Sequence, residues 1–333
     1  PTGFTLESNA GDTNGSGKTF IYMAIRRPHK PPTAATEVFA IDTWGGTSPS
    51  PPTFTSGFPV DTAFRVDISG SWKPWGARLL GINFPYINDT GGQDYAATFV
   101  WDYMNGWGSS TGTDSNLHSY MFKRAPGFMD VVAYEGAGST PATYTHNLGV
   151  VPEMMIIKSR NIAESWAVYH KDVDTANQRV LALNTAHAQS STSNLFWNNT
   201  TPTSSVFTTG SSNRTGGGGV THVGYLFATL PGISKVGSYT GTGNDINVDC
   251  GFTSGARFVL IKLASGVGNW YLYDSVRGIG SGNDPFLKLN SATSQTTNSD
   301  YIDIDASSTG FKINSGSSYL NISGGNYIFL AIA

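Results

Sequence analysis

The sequence predicts an all-β fold, made of tandem β-sandwich-like modules of about 104 residues with little helix. Two compositional observations support this class. The chain holds 40 Gly but only 13% charged residues, and turn-forming residues compete with helical hydrogen bonding. Its apolar runs are short and rich in β-branched and aromatic residues, and turn clusters separate them, as in sandwiches or small barrels. The only candidate helix is Asp172 to Leu183.

The third observation is internal similarity, which is the strongest signal in the sequence. An apolar run that ends in Lys, Met154 to Lys158, recurs as Phe258 to Lys262. Each run is followed by a Trp, Trp166 or Trp270, with a Tyr three residues later. The matched residues lie about 104 residues apart, and this near-constant separation indicates a duplication rather than a shared composition. Further matched pairs are Leu181–Asn184 with Leu287–Asn290, Phe207 with Phe311, and Tyr225–Ala228 with Tyr327–Leu330.

The same pattern extends toward the start of the chain. Phe20 to Ile25 matches Tyr327 to Ile332 without a gap, and Thr55 to Phe58 stands where Asp249 to Phe252 stands later. We therefore expect Phe20 to Ile25 to be a buried strand paired within a β-sheet. The predicted organisation is the end of an upstream unit (1–27), a linker (28–37), a divergent unit (38–130) and two further units (131–234 and 235–333).

Charge and cysteine content exclude several classes of protein. The net charge is −3 with no basic stripe, so nucleic acid is not an expected partner. The single cysteine, Cys250, rules out an intrachain disulfide and any cysteine-based metal site. No apolar run approaches the roughly 18 residues of a membrane span, so we expect no membrane insertion. The six histidines are scattered, without zinc-site spacing.

No sequence motif indicates catalysis or cofactor binding. Gly11 to Thr19 resembles a phosphate-binding loop, but its glycine spacing is wrong and a strand-like run follows it, so a turn is the better interpretation. No nucleophile elbow is present. Asp300, Asp303 and Asp305 are oxygen ligands suited to calcium, but a solvated strand face is favoured. We expect a non-enzymatic protein without a cofactor or metal.

Tryptophans concentrate in the divergent unit 38–130, which holds five of the eight. Trp72 and Trp75 flank Lys73–Pro74, and Trp107 lies between two glycines. Tryptophan in such loop-like sequence is often exposed, where its flat face stacks on sugars or packs against a partner. Trp72, Trp75 and Trp107 are therefore the candidates for a receptor or glycan site. The alternative for all three is packing in the core or at an oligomer contact.

Several segments carry a resemblance to a known family: Tyr120–Phe128, Asn147–Met155, Ser165–His170, Phe196–Thr203 and Gly237–Gly241, preceded by Ala24–Pro28. They resemble repeated modules in tail- or fibre-like proteins of phages and prophages of marine and soil proteobacteria and cyanobacteria. The resemblance covers nearly the whole chain and is weakest over residues 40–115.

That resemblance implies a virion protein of a tailed phage, located on the tail or particle surface. The expected role is a tail fibre or tail-tip protein that attaches to a bacterial surface polysaccharide. A head decoration or a structural spacer is the alternative, and a polysaccharide depolymerase is a third. By analogy with phage fibres we expect a homo-oligomer, a trimer, in contact with other virion proteins.

Overall fold

The computed structural model describes residues 15–23, 30–44, 52–108, 116–138, 141–173, 176–191, 193–280, 282, 284–297 and 304–333. The chain divides into two compact bodies, residues 1–30 and residues 31–333. Within the described ranges the only helical elements are three 3-10 turns, Ala35–Glu37, Arg78–Leu80 and Ser193–Leu195. The predicted all-β fold is confirmed. The helix predicted over Asp172 to Leu183 is wrong, because the strand Arg179–Ala182 forms there.

The body formed by residues 31–333 contains three successive groups of strands. The first unit has β1 to β8: Phe39–Thr43, Phe54–Thr55, Thr62–Asp67, Trp75–Ala77, Asn83–Phe84, Asp94–Tyr95, Gly106–Trp107 and Leu117–Phe122. The second has β9 to β16: Met129–Glu135, Ala142–Thr145, Met154–Ser159, Ala167–His170, Arg179–Ala182, Ser190–Ser191, Val206–Thr209 and Thr221–Phe227. The third has β17 to β24: Ser234–Thr240, Ile246–Asp249, Phe258–Leu263, Trp270–Asp274, Leu287–Lys288, Ile304–Ser307, Gly310–Ile313 and Asn326–Ile332.

The main sheets of the three units share one antiparallel topology. In each, the last strand of the unit lies between its first strand and a middle strand that continues to the next strand along the chain. The orders are β1-β8-β3-β4, β14-β13-β12-β11-β16-β9 and β17-β24-β19-β20-β21. A smaller sheet accompanies each, formed by β2-β7, β10-β15 and β18-β23-β22. Each unit is thus a variant of one two-sheet module, with the apolar side chains of its strands buried between and beneath the sheets.

The strand registers show which predicted equivalences are correct. Trp166 and Trp270 occupy matching places, and both are buried. The backbone N–H of Trp166 donates to the Asn184 side chain, and that of Trp270 donates to the Asn290 side chain. The equivalence of Thr55–Phe58 with Asp249–Phe252 also holds, because Thr55 and Asp249 pair with Gly106 and Gly310 at matching registers.

The predicted match of the terminal strands is wrong by three residues. Met154 pairs with Phe227, and the equivalent Phe258 pairs with Ile332. Tyr225 is therefore equivalent to Leu330 and not to Tyr327. Both β16 and β24 are apolar along most of their length, so the Tyr-x-Phe motif did not fix the register by itself.

The three units contact one another in a cyclic order. The Trp166 indole of the second unit donates to the Tyr86 carbonyl of the first at 3.0 Å. The Trp270 indole of the third unit donates to the Ala182 carbonyl of the second at 2.9 Å. The arrangement is closed by the first unit, whose Tyr120 hydroxyl donates to Asp274 of the third at 2.6 Å. All three interfaces are thus made within one chain.

A single apolar cluster fills the space where the three units meet. It takes side chains from every unit, and aromatic pairs cross the boundaries. Trp75 stacks on Tyr225 with ring centroids 4.1 Å apart, and Phe122 lies edge-on to Phe227 and Phe258. Smaller clusters fill the individual modules of the first and second units.

The strand predicted over Phe20 to Ile25 is not formed where the chain is described. Residues 20–23 do not form a strand, and Ile21 is 99% exposed. The third-unit strand that this segment matches, β24, is held on both sides by β17 and β19. Residues 24 and 25 lie outside the described residues, as do residues 28 and 29 of the predicted linker 28–37. None of the described helices is long and apolar enough to cross a membrane.

Candidate functional site

Trp107 is a core residue of the first unit. It lies on β7, is 0% exposed, and pairs across the small sheet with Phe54. Its ring stacks on Trp101 at 4.9 Å, and its indole N–H donates to the Ser119 hydroxyl at 2.9 Å. Its place corresponds to Phe207 and Phe311 of the other units. The expectation of an exposed Trp107 is therefore wrong, because the small sheet needs a large apolar side chain here.

Trp75 is buried as well, at 2% exposure, in the interface between the first and second units. It packs on Tyr225 and Trp166, with ring centroids 4.1 and 5.7 Å away. Its indole N–H donates to the Thr62 hydroxyl at 2.9 Å, so its polar atom is also satisfied inside. Trp75 cannot offer its face to a glycan, and the packing alternative is correct for this residue.

Trp72 alone of the three candidates lies at the surface, with 54% of its area exposed. It lies outside β4, in the irregular segment that precedes the strand, whereas the residues from Lys73 to Ala77 are all buried. Its exposure therefore follows from the local path of the backbone and not from strand alternation. The sequence alone did not distinguish Trp72 from Trp75.

Tyr86 and Asp94 extend the exposed Trp72 face. The rings of Trp72 and Tyr86 lie 5.4 Å apart at 46°, and the Tyr86 hydroxyl donates to Asp94 Oδ2 at 3.4 Å. Tyr86 is brought opposite Pro74 by an isolated bridge, and Asp94 pairs with Phe84 in the β5–β6 ribbon. Two aromatic rings and a carboxylate thus form one surface, called here the Trp72 surface.

The backbone beneath Trp72 is held firmly on both sides. The Asn88 side chain accepts the Lys73 N–H at 2.9 Å and donates to the Ser71 carbonyl at 3.4 Å. The Lys73 ammonium is buried and donates to the Ser291 carbonyl of the third unit. These contacts fix the residues on either side of Trp72, so the ring is presented from an ordered segment at reduced entropic cost.

The Trp72 surface combines two aromatic rings with one hydrogen-bonded carboxylate. Partial burial raises the pKa of Tyr86, and neighbouring Asp94 raises it further, whereas Arg65 opposes the shift. The tyrosine therefore remains a neutral hydroxyl at physiological pH. A neutral aromatic pair with a carboxylate acceptor suits the C–H face and hydroxyl groups of a sugar.

The buried carboxylates elsewhere in the body are structural. Asp274 accepts from Arg277 at 2.5 Å as well as from Tyr120, and Asp130 accepts from Arg124 at 2.5 Å. Across the described ranges no group of three or more His, Cys, Asp or Glu could hold a metal ion. Asp305 faces Lys312 at 3.7 Å, while Asp300 and Asp303 lie outside the described residues.

Residues 11–14 of the phosphate-loop-like segment lie outside the described residues, and the rest of it forms a turn. Gly17 has φ of 70°, and the Lys18 N–H bonds to the Gly15 carbonyl at 3.1 Å. No helix begins among residues 15–23, as a phosphate loop would require.

Residues 85–333 match the model of a family described as a domain of unknown function, DUF7483. The match includes Tyr86 and Asp94 but begins after Trp72. A comparison with curated proteins finds no match.

Proposed function

The chain belongs to the DUF7483 family, and we propose that it is a virion structural protein of a tailed phage, a tail-fibre or tail-tip component that attaches to host-surface glycan. The observation that supports attachment is the Trp72 surface: an exposed indole beside Tyr86 and Asp94, on a backbone fixed by Asn88. The virion location is supported by the resemblance of its motifs to those of phage tail modules. Attachment would occur at the particle surface, without chemistry.

The spacer or head-decoration alternative is favoured by a different observation. Trp75 and Trp107 both serve the core, so much of the tryptophan content of the first unit is scaffold. Labelling the particle with an antibody against this chain separates the positions. A few copies at the tail support the fibre, whereas hundreds of copies on the head support decoration.

The binding role is tested with Trp72→Ala against a panel of purified lipopolysaccharides and capsular polysaccharides from candidate host strains. Tyr319→Ala is the matched control, because Tyr319 is also 54% exposed but lies in the third unit. Removing a true anchor costs on the order of 2 kcal/mol, roughly a 30-fold loss of affinity. We expect that loss for Trp72→Ala and none for Tyr319→Ala, with equal melting temperatures. Unchanged affinity in both variants contradicts the proposal.

A further inference from the structure

Three residues, one from each unit, hold the same place in the fold but carry different charges. Each directly precedes the middle strand of its main sheet (β3, β11 or β19), and its backbone N–H donates to the carbonyl at the end of its unit's last strand. Its own carbonyl accepts the N–H of the residue directly after the next strand. The three residues are Asp61, Glu153 and Arg257, and the partners after the next strand are Arg78, Lys171 and Ser275.

In the first two units this place holds an acid that is paired with a base. Arg78 lies 4.0 Å from the Asp61 carboxylate, and Lys171 lies 2.7 Å from the Glu153 carboxylate. The backbone hydrogen bond that brings each pair together also forms in the third unit. The first and second units therefore each balance one negative group with one positive group here.

The third unit has a base at this place and a hydroxyl opposite. Arg257 Nε donates to the Ala333 main-chain oxygen at 2.7 Å, and Nη2 donates to the Phe39 carbonyl at 3.3 Å. Within the described ranges, no Asp or Glu side chain forms an ion pair with Arg257. Burial lowers the pKa of Arg257. A partly buried positive charge is thus left without the anion that balances it in the other units.

A cavity of about 360 Å³ lies against Arg257. Gly255 forms part of its wall with φ of 79°, and a Cβ there would clash with a main-chain oxygen of the facing loop. The cavity is lined by hydroxyl groups that make no hydrogen bond to other described residues, and no acidic residue lines it. These hydroxyl groups belong to Ser254, Ser275, Ser307 and Ser308.

The acidic residues adjacent in sequence to the cavity wall have partners of their own. Asp274 accepts from Arg277 and from the Tyr120 hydroxyl. Asp305 faces Lys312 at 3.7 Å. Neither carboxylate lines the cavity. Among the described residues, none supplies the negative charge that Arg257 lacks, so a bound group would supply it.

We propose that this cavity binds an acidic sugar, a uronic acid residue, with its carboxylate at Arg257 and its hydroxyl groups at the surrounding serines. Carboxylates pair with a base at this place in the first two units, and the guanidinium fork matches their geometry. Serine hydroxyls both donate and accept, so they suit the hydroxyl groups of a sugar. The volume is at the small end of ligand sites, which favours one sugar residue. Only the source of that sugar, a host-surface glycan, rests on the proposed function.

The test is isothermal titration calorimetry of the full chain with methyl β-D-glucuronide and methyl β-D-glucoside. The glucoside carries a hydroxymethyl group in place of the carboxylate, so the pair isolates the charge. We expect the glucuronide to bind roughly tenfold more tightly or better, because hydrogen bonds between ionised groups are the stronger ones.

Ser275→Asp supplies the missing carboxylate from the chain itself. Ser275 is exposed and stands where Arg78 and Lys171 pair with their acids, so its replacement should pair with Arg257 without loss of melting temperature. We expect the preference for glucuronide to disappear. Ser318→Asp is the matched control, because it adds the same charge at an exposed serine of the third unit outside the cavity, and it should bind as wild type.

Arg257→Gln should also remove the preference for glucuronide. Equal binding of the two sugars by the wild type, or a preference that persists in both Ser275→Asp and Arg257→Gln, overturns the proposal. Tighter binding of glucose 6-phosphate than of the glucuronide overturns the assignment to a carboxylate. Acetate that binds as tightly as the glucuronide overturns the assignment to a sugar.

This proposal and the proposed function fail separately. A wild-type chain without a glucuronide preference, whose polysaccharide affinity still falls in Trp72→Ala, overturns only the uronic acid site. A glucuronide preference that Arg257→Gln removes, with polysaccharide affinity unchanged in Trp72→Ala, overturns only attachment through the Trp72 surface.

Discussion

Three buried lysines lie where one unit meets the next. Lys158 donates to the Thr90 carbonyl of the first unit at 3.0 Å, and Lys262 donates to the Ala186 carbonyl of the second at 3.3 Å. Lys73, which lies before β4 and not in a repeated strand, donates to the Ser291 carbonyl of the third unit. The sequence shows the Lys that ends each repeated strand, but it gives no sign that this ammonium is buried. Carbonyl acceptors from another unit are visible only in three dimensions.

Lys262→Ala should destabilise the protein strongly. The Lys262 ammonium also donates to the Leu263 carbonyl at 2.7 Å, so truncation leaves buried acceptors without a donor and opens a cavity. We expect a loss of about 3 kcal/mol in the free energy of unfolding, measured by urea denaturation. Lys288→Ala on the half-buried β21 is the control and should cost less than about 0.5 kcal/mol. Similar losses of unfolding free energy in both variants would show that the hydrogen bonds from Lys262 to carbonyl groups do not stabilise the protein.

His170 should make the protein sensitive to mild acid. Burial lowers the pKa of His170 to about 4, while Asp172, Glu153 and the Phe329 backbone oppose the shift and Lys171 adds to it. An unfolded histidine titrates near 6.5, so the unfolded state binds the proton first as the pH falls. Stability is therefore complete above about pH 6.5 and declines by up to about 3 kcal/mol toward pH 4.

Urea midpoints at pH 7.5 and 4.5 measure this effect for the wild type and for His170→Gln. The glutamine variant should lose less stability between the two pH values. The burial of His118, His146 and His222 also lowers the pKa of each ring, so part of the dependence should remain. An identical pH dependence in both proteins would exclude His170 as a main source.

At the scale of strands, the sequence predicted where strands form better than it predicted their pairing register or their burial. The strands that contain Met154–Lys158 and Phe258–Lys262 form as expected because their apolar, β-branched pattern fits a buried sheet. The register of β24 was misplaced because an almost wholly apolar strand carries no alternation that fixes its partner. Phe20 to Met23 was misjudged for another reason: an apolar run needs strands on both sides, and sequence cannot show whether they are there.

Gly310→Ala tests the pairing of β18 with β23. A Cβ at Gly310 would clash with the Val248 carbonyl oxygen, so the small sheet of the third unit must move apart. We expect a cost of about 1–3 kcal/mol, seen as a lower melting temperature. Gly224→Ala is the control, since a Cβ on that central strand meets its nearest atom at 3.5 Å. Equal melting of the two variants would contradict this account of the small sheet.

At the scale of the whole molecule, the three units of residues 31–333 share one large apolar cluster, in addition to the smaller clusters inside the first and second units. A repeat array whose members contact only neighbours loses cooperativity, but here each unit contacts both others. The sequence revealed the repeat but not its closure, because nothing in a period of about 104 residues specifies whether units extend in a line or meet in a cycle. The expected homotrimer remains a prediction. Part of the stabilisation expected from association between chains is supplied by the contacts between the three units of one chain.

Residues 31–333 should therefore unfold in one transition. Tryptophan fluorescence reports mainly the first unit, whereas Cys250, the only cysteine, is buried in the third. Burial raises the pKa of the Cys250 thiol to about 12, so the folded protein should resist thiol reagents. We expect the fluorescence midpoint and the onset of rapid thiol labelling to coincide in urea. Labelling at a clearly lower urea concentration would show that the third unit opens independently.

The cyclic arrangement of three unlike units has a consequence for valency. A ring of identical subunits repeats each surface at every position, so any receptor contact occurs three times. Here Trp72 belongs to the first unit alone, because the strand registers place Ser165 and Asn269 at the equivalent positions of the other two units. One folded body therefore presents one such indole, and multivalent attachment through it would require several copies of the chain, because the internal repeat does not supply further indoles.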